Sequence, residues 1–114
     1  MSRATGNLGE SVAQQYLLDN NYEIIEKNFY SLYGEIDLIA HDPVADQLVF
    51  VEVKNYKKNS LLHPLEAITK KKKNRISKTA KYYLLINNLD DCNLRFDLIT
   101  IENNAVKEHL KEMF

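Results

Sequence analysis

The order of amphipathic and apolar segments predicts an α/β fold: a helix, three strands, a long helix, a fourth strand and a short C-terminal helix. Two observations support this prediction. Apolar residues recur at helical spacing before residue 20 and again after residue 64, and short segments rich in Ile, Val, Leu and aromatic residues lie between and after them. With 114 residues, of which 45% are hydrophobic, the chain matches one domain of common size, over residues 1–114.

The first predicted helix covers residues 8–20 and ends at Asn20-Asn21. Its apolar positions at helical spacing are Leu8, Val12, Ala13, Tyr16 and Leu17. Strands are predicted at residues 22–29, 35–41 and 47–54. We expect the second and third to form a hairpin, because residues 41–46 between them are polar at both ends and include Pro43, which excludes regular strand pairing.

The second half of the chain reads as helix, strand, helix. Pro64 suits the first turn of a long helix that runs to about Ile86 and ends at Asn87-Asn88. Residues 94–102 form the predicted fourth strand, and residues 105–113 a short final helix of modest amphipathicity. The sequence contains no internal repeat or low-complexity linker.

Charge is sorted along the chain although the net charge is only −1. Residues 54–81 hold ten Lys or Arg against one acid, Glu66, whereas the rest holds five bases and fifteen acids. A basic segment attracts phosphate and an acidic cluster holds cations, which together suit a protein that cleaves phosphodiesters. A solvated charged helix is the alternative interpretation of the lysine run.

No apolar run approaches the length of a membrane span, and the first residues lack the apolar stretch of a secretory signal. We therefore expect a cytoplasmic protein without a membrane partner. A single cysteine, Cys92, excludes an internal disulfide, and no Cys/His spacing suggests a zinc site.

Charged residues interrupt two segments that are otherwise apolar enough to be buried strands, residues 34–39 and 49–54. Because side chains two apart share a face of a strand, Glu35 and Asp37 point one way, and Glu52 and Lys54 lie together on the next strand. If the strands pair through the 41–46 loop, Asp37 falls near Glu52. Burying these charges is costly unless a counter-charge compensates them.

A divalent cation would provide that counter-charge. Two carboxylate oxygens, a backbone carbonyl such as that of Val53, and water molecules make the octahedral shell that Mg²⁺ or Mn²⁺ prefers. Without metal, the two carboxylates would repel each other and one would tend to hold a proton. The alternative is a structural ion pair of Lys54 with Glu52 or Asp37.

Several other positions have both a functional and a structural interpretation. Glu10 lies at the edge of the apolar stripe of the first helix, where it either leans towards the sheet or forms a capping box with Asn7. Lys72 falls on the apolar stripe of the long helix and either extends to solvent or reaches a site. Tyr30 and Tyr33 stack on a base or simply pack.

Two further groups of residues are given structural interpretations. Arg95 and Asp97 are interpreted as a structural ion pair within the fourth strand. The three histidines, His41, His63 and His109, lack ligand spacing and are interpreted as loop-borne or exposed.

Five short motifs, taken in their order along the chain, support a resemblance to a known family. They are Gly6-x-x-Gly9-Glu10-x-x-Ala13-x-x-Tyr16-Leu17, Gly34-Glu35-Ile36-Asp37-Leu38-Ile39, Val49-Phe50-Val51-Glu52-Val53-Lys54, Pro64-x-Glu66-Ala67-Ile68 and Arg95-Phe96-Asp97. Over residues 6–102 the chain resembles the YraN family of small bacterial proteins. That family is similar to archaeal Holliday-junction resolvases, within the PD-(D/E)xK nuclease superfamily. The resemblance implies a restriction-endonuclease-like core with a mixed central sheet.

The resemblance also implies roles for single residues. Asp37 and Glu52 match the metal ligands, Lys54 the lysine that positions the attacking water, and Glu10 the helix-one glutamate that often completes the catalytic and metal site. Lys73 stands where a glutamine commonly follows the lysine at 72, and residues 55–57 also depart from the usual pattern, which bears on substrate preference. The predicted nucleic-acid contacts are Lys57, Lys58, Lys70, Lys71, Lys72, Lys73, Arg75 and Lys78.

Together these features predict a Mg²⁺- or Mn²⁺-dependent endonuclease that hydrolyses phosphodiester bonds in DNA rather than RNA, with branched or structured DNA as the expected substrate. Symmetric cutting of a branched substrate would require a homodimer. The alternative is a non-catalytic module that retains the nuclease fold and binds nucleic acid or a protein partner.

Overall fold

The computed structural model describes residues 3–57, 68–89 and 91–113, with side chains from Leu8 onwards. Its elements are α1 (Arg3–Asp19), β1 (Glu23–Tyr30), β2 (Glu35–Asp42), β3 (Gln47–Tyr56), α2 (Lys70–Ile86), β4 (Leu94–Glu102) and β5 (Ala105–Leu110). None of the described helices is both long and apolar enough to cross a membrane.

The five strands form one mixed sheet in the order β1-β2-β3-β4-β5. β1, β2 and β3 pair antiparallel, β3 and β4 pair parallel, and β4 and β5 pair antiparallel. A parallel pair needs a long crossover connection, and α2 is part of the one that joins β3 to β4. The predicted hairpin of β2 and β3 is confirmed, with residues 43–46 as its turn.

Each face of the sheet carries one helix, because β2 and β3 are apolar on both faces and both faces need a cover. On one face, Ala13 and Leu17 of α1 are buried in a core cluster with Leu38 and Val51 of the sheet. On the other face, α2 buries an apolar stripe in a second cluster. That second cluster includes Ile39, Phe50, Ile76, Ala80 and Tyr83.

The C-terminal segment corrects one prediction: residues 105–110 form strand β5, not a helix. Asn103 and Asn104 both adopt positive φ, 54° and 59°, which is the backbone of a tight two-residue hairpin turn. The turn folds the chain back onto the open edge of β4, so strand pairing outweighs the modest helical periodicity of this segment.

The helix boundaries also differ from prediction. α1 begins at Arg3, so Asn7 is inside the helix rather than at its start, and the predicted capping box is wrong. α2 begins at Lys70, after the N-cap Thr69, whose side chain accepts a hydrogen bond from the Lys72 backbone N–H. A single helix starting near Pro64 is therefore wrong, and residue 64 itself lies outside the described residues.

Candidate active site

The register of the β2–β3 hairpin places Asp37 opposite Glu52. Leu38 pairs with Val51 and Ile39 with Phe50, and one further step along both strands brings Asp37 to Glu52. Both side chains lie on the face of the sheet that α2 covers, together with Ile39 and Phe50. The predicted juxtaposition of the two carboxylates is present.

The two carboxyl groups are close enough to share a hydrogen bond, and they are shielded from water to different degrees, since Glu52 is buried and Asp37 is half-buried. Burial, followed by the charge of Glu52 and the hydrogen bond with it, raises the pKa of Asp37 to about 9. The Val53 backbone N–H donates to Asp37 Oδ2 at 2.8 Å and opposes that rise. Asp37 is thus held as a protonated acid at neutral pH when no cation accompanies the pair.

Glu52 is buried, at 7% exposure, and forms an ion pair with the ammonium of Lys72. Lys72 projects from the first turns of α2, so the lysine that lies on the apolar stripe of this helix does reach the site. The structural alternative predicted an ion pair of Glu52 with Lys54. The structure instead forms the ion pair of Glu52 with Lys72 of α2.

A cavity of about 360 Å³ opens over the carboxyl pair. Asp37, Glu52, Lys54 and the backbone of Val53 contribute to its sheet side, and α2 contributes to the opposite side. The complete lining is Gly34, Glu35, Asp37, Glu52, Val53, Lys54, Lys72, Arg75 and Ile76. The predicted Asp37, Glu52 and Lys54 therefore meet in one solvent-accessible space.

Glu10 lies on α1, the helix that covers the other face of the sheet, and it does not line this cavity. Its charge is among the causes that raise the pKa of Asp37. α1 passes close to the end of β3 at this point, because a Cβ at Gly9 would lie 3.3 Å from Asn55 Nδ2. Over the ranges that the structure describes, however, no three His, Cys, Asp or Glu side chains are grouped to hold a metal ion.

The pair of Asp37 and Glu52 is thus the carboxylate component of any cation site here. Its donors fit a hard divalent cation, since two carboxyl groups lie on one face of the sheet with open space above them. A proton on Asp37 and the Lys72 ammonium at Glu52 supply the positive charge that the pair requires. A cation of that kind would take over both functions.

α2 gives the cavity a basic wall. Its sequence from residue 70 to residue 86 contains seven Lys or Arg and no Asp or Glu. Lys72 and Arg75 line the cavity, whereas Lys70, Lys71, Lys73 and Lys78 are exposed elsewhere on α2, with Lys70 and Lys73 beside Phe96. Lys57 is exposed after the end of β3, and Lys58 lies outside the described residues.

A second polar cluster lies elsewhere in the sheet, centred on Arg95. Its guanidinium donates to Asp97, at 2.9 and 3.0 Å, and to Asp42, Gln47 and the Tyr22 hydroxyl, so all five of its N–H groups are engaged. Burial would raise the pKa of Asp97, but hydrogen bonds from His109 and Arg95 outweigh it and lower that pKa. The predicted structural ion pair of Arg95 and Asp97 is confirmed.

The prediction that His109 is exposed is wrong. Its side chain is 6% exposed, its Nε2 lies 2.7 Å from Asp97 Oδ2, and its Nδ1 lies 3.0 Å from the Tyr16 hydroxyl. The prediction failed because it placed residues 105–113 in a helix. In a strand paired with β4, His109 is brought opposite Ile99 and near Asp97. The Asn103-Asn104 pair is the sequence signal for that hairpin.

Comparison with known proteins places the chain in a family. A family model described as "Uncharacterised protein family UPF0102" matches residues 9–101. A UPF0102 protein of Persephonella marina is 41% identical over 109 residues, which cover 96% of this chain and 91% of the relative.

Two other relatives agree. A UPF0102 protein of Clostridioides difficile is 39% identical over 100 residues, covering 88% of this chain and 86% of its own length. One of Syntrophus aciditrophicus is 42% identical over 97 residues, covering 85% and 75%. The resemblance inferred from the sequence motifs is thus confirmed, and the chain belongs to the UPF0102 (YraN) family.

Proposed function

We propose that this protein is a divalent-metal-dependent endonuclease that hydrolyses phosphodiester bonds in DNA. One observation supports the proposal above the others: Asp37 and Glu52 lie opposite each other on adjacent strands, and both line a cavity that also holds Lys54 and two basic residues of α2. A purely structural role leaves this arrangement unexplained, because bringing two carboxyls together costs stability unless a proton or a cation accompanies them.

Each side chain has a separate role in the proposal. Asp37 and Glu52 would hold Mg²⁺ or Mn²⁺, which when bound supplies positive charge beside the phosphate and lowers the pKa of water. Lys54, on the same strand as Glu52, orients the attacking water and offsets charge that develops on the phosphate. Lys72 and Arg75 face the same cavity and bind the DNA backbone.

Phosphate contacts of this kind carry little sequence information, so cleavage should depend on DNA structure more than on base sequence. The described part of α2 offers lysine and arginine side chains without any carboxylate that would repel phosphate. Among the residues that the structure describes, lysines and arginines outside α2 do not form a comparable row, which is why we propose this helix as the DNA-binding element.

The test compares cleavage of branched, single-stranded and duplex DNA by the wild type, by Asp37→Asn and by Asp46→Asn. Asp46 is the matched control, because its side chain is 87% exposed on the β2–β3 turn. We expect the wild type to nick DNA in Mn²⁺ and EDTA to stop the reaction. The rate of nicking should be at least about a hundredfold lower for Asp37→Asn and unchanged for Asp46→Asn. DNA affinity should survive in Asp37→Asn. Full activity of Asp37→Asn would reject the proposal.

A non-catalytic DNA-binding module is the second candidate, and the Lys72–Glu52 ion pair favours it, because it neutralises Glu52 without a metal. That candidate predicts salt-sensitive DNA retention with no product in Mg²⁺ or Mn²⁺. The same assay therefore separates the two functions.

A further inference from the structure

The turn between β1 and β2 exposes apolar side chains beside the candidate active site. Leu32 is fully exposed and Tyr33 is 49% exposed. The next two residues, Gly34 and Glu35, line the cavity that contains Asp37. Isolated exposed apolar residues are common, but two adjacent ones at the rim of a charged cavity form a small apolar surface at a specific place.

The turn is held in place. Ser31 and Gly34 exchange backbone hydrogen bonds at 2.8 and 3.3 Å, which closes a tight turn with Leu32 and Tyr33 at its tip. The Ser31 hydroxyl lies 3.0 Å from the hydroxyl of Thr79, which is fully buried in α2. The turn is therefore attached to the basic helix, and its two apolar side chains are presented in a fixed position.

Gly34 completes this geometry. Its φ is +155°, a backbone conformation that residues with side chains rarely adopt. A Cβ at Gly34 would make ordinary contact with Arg75 Cβ at 3.6 Å, so the turn passes closely over the residue of α2 that lines the cavity. The Lys78 ammonium lies 5.9 Å from the centre of the Tyr33 ring.

The surroundings of the turn define what could contact it. Arg75 and Lys78 make the neighbouring surface of α2 positive, while Leu32 and one face of Tyr33 offer apolar and aromatic contact. A ligand that suits both must combine negative charge with a flat apolar group. A nucleotide has both, since its phosphate carries the charge and its base stacks on aromatic rings.

We propose that Leu32 and Tyr33 form a nucleobase-binding site that receives a base unstacked at an interruption of duplex DNA. In continuous duplex the bases are stacked inside the helix and cannot reach this turn, whereas a gap or an unpaired nucleotide exposes one. Because it names the substrate feature next to the cut, this inference rests on the proposed function. The turn would direct cleavage to such interruptions.

The test uses binding, which is independent of cleavage. Oligonucleotides of one sequence carry 2-aminopurine either within continuous duplex or at an unpaired position beside a one-nucleotide gap. Binding of the full chain is measured in EDTA by anisotropy and by 2-aminopurine fluorescence. We expect the wild type to prefer the gapped DNA by about tenfold and to quench the probe by stacking.

The variant is Leu32→Ser/Tyr33→Ser, and its matched control is Val44→Ser/Leu18→Ser, which removes two exposed apolar side chains outside α2. All four positions are exposed, and circular dichroism verifies that both variants fold. The first variant should lose the preference and the quenching, and the control should retain both. An unchanged preference in the first variant would overturn the inference.

Two further outcomes are decisive. If sedimentation shows a wild-type dimer that the Leu32→Ser/Tyr33→Ser variant dissociates, the turn is a contact between copies of the chain and the inference fails. If Mn²⁺ yields no cleavage while the preference still depends on Leu32 and Tyr33, the nuclease proposal fails and the base-binding site stands. If Mn²⁺ does yield cleavage but the Leu32→Ser/Tyr33→Ser variant keeps the preference for gapped DNA, the nuclease proposal stands and the base-binding site fails.

Discussion

Asp37 shows how a single side chain connects the strand register to chemistry. Its position opposite Glu52 follows from the hairpin pairing, and burial beside that residue raises its pKa to about 9. The proton that Asp37 keeps at neutral pH and a divalent cation are alternative solutions to the same electrostatic problem. Protonation and cation binding should therefore exclude each other at this carboxyl.

The raised pKa of Asp37 predicts that the stability of the fold depends on pH. Because the pKa of Asp37 is higher in the folded chain, its proton stabilises the fold fully below about pH 4, and that contribution declines as the pH rises towards 9. Asparagine at this position does not ionise, so Asp37→Asn does not lose stability in this way as the pH rises. In EDTA, the melting temperature of the wild type should therefore fall below that of Asp37→Asn by about 4 °C or more at pH 8.5, with a smaller difference at pH 5.

The control and a second measurement accompany this prediction. Asp46→Asn, on the exposed turn, should follow the wild-type pH profile. Adding Mn²⁺ at pH 8 should raise the melting temperature of the wild type but not of Asp37→Asn, since binding to the folded state stabilises it. Parallel pH profiles for wild type and Asp37→Asn would contradict the assignment of the raised pKa.

Arg95 connects several elements at once. Its contacts reach Asp42 at the end of β2 and Gln47 at the start of β3, and Asp97 links it to His109 of β5. Because its hydrogen bonds join residues of several strands, this buried cluster fixes the relative positions of the strand ends. The guanidinium is fully paired with protein groups, which supports a structural role, although this cluster also lines a cavity of about 320 Å³.

Removing this arginine should strongly destabilise the fold. Arg95→Met leaves Asp42 and Asp97 buried without their cation, at a cost of about 3 to 5 kcal/mol in the free energy of unfolding. Lys107→Met, which breaks the exposed pair with Glu102, should cost less than about 1 kcal/mol. Urea unfolding measures both. Since the pKa of Asp97 is lowered in the fold, the wild type also loses this stabilisation as the pH falls below about 4.

The sequence predicted α1, the four strands β1 to β4 and the carboxyl pair, because period-two alternation and one short loop fix which side chains share a face. It did not predict β5. Residues 105–110 have weak periodicity, and their conformation is decided by pairing with β4, which is a tertiary effect. The contacts of His109 were missed for that reason. Lys72 was placed on the correct stripe, but its contact with Glu52 depends on how α2 docks.

Across the whole molecule, charge is separated between α2 and the rest of the chain. The excess of bases over residues 54–81 is balanced by acids elsewhere, so the net charge of −1 conceals a strongly basic helix, α2. The proposed function requires this asymmetry rather than a high net charge.

The separation predicts where salt sensitivity resides. Replacing Lys70, Lys71 and Lys73 by Gln should weaken DNA binding and reduce the slope of log Kd against log salt by about 1 for each phosphate that is no longer neutralised. The control replaces Lys27, Lys107 and Lys111, which are exposed outside α2, so net charge changes equally. Equal effects of the two triple variants would show that DNA does not bind along α2.

The ion pair between Lys72 and Glu52 joins these two properties of the molecule. A phosphate that draws the Lys72 ammonium towards itself would leave Glu52 ready to receive a cation, and a cation at Glu52 would free Lys72 for phosphate. Linkage then makes the two ligands cooperative, each raising the affinity for the other by the same factor. Titrating Mn²⁺ with and without an uncleavable DNA should reveal this factor, and Lys72→Met should reduce it.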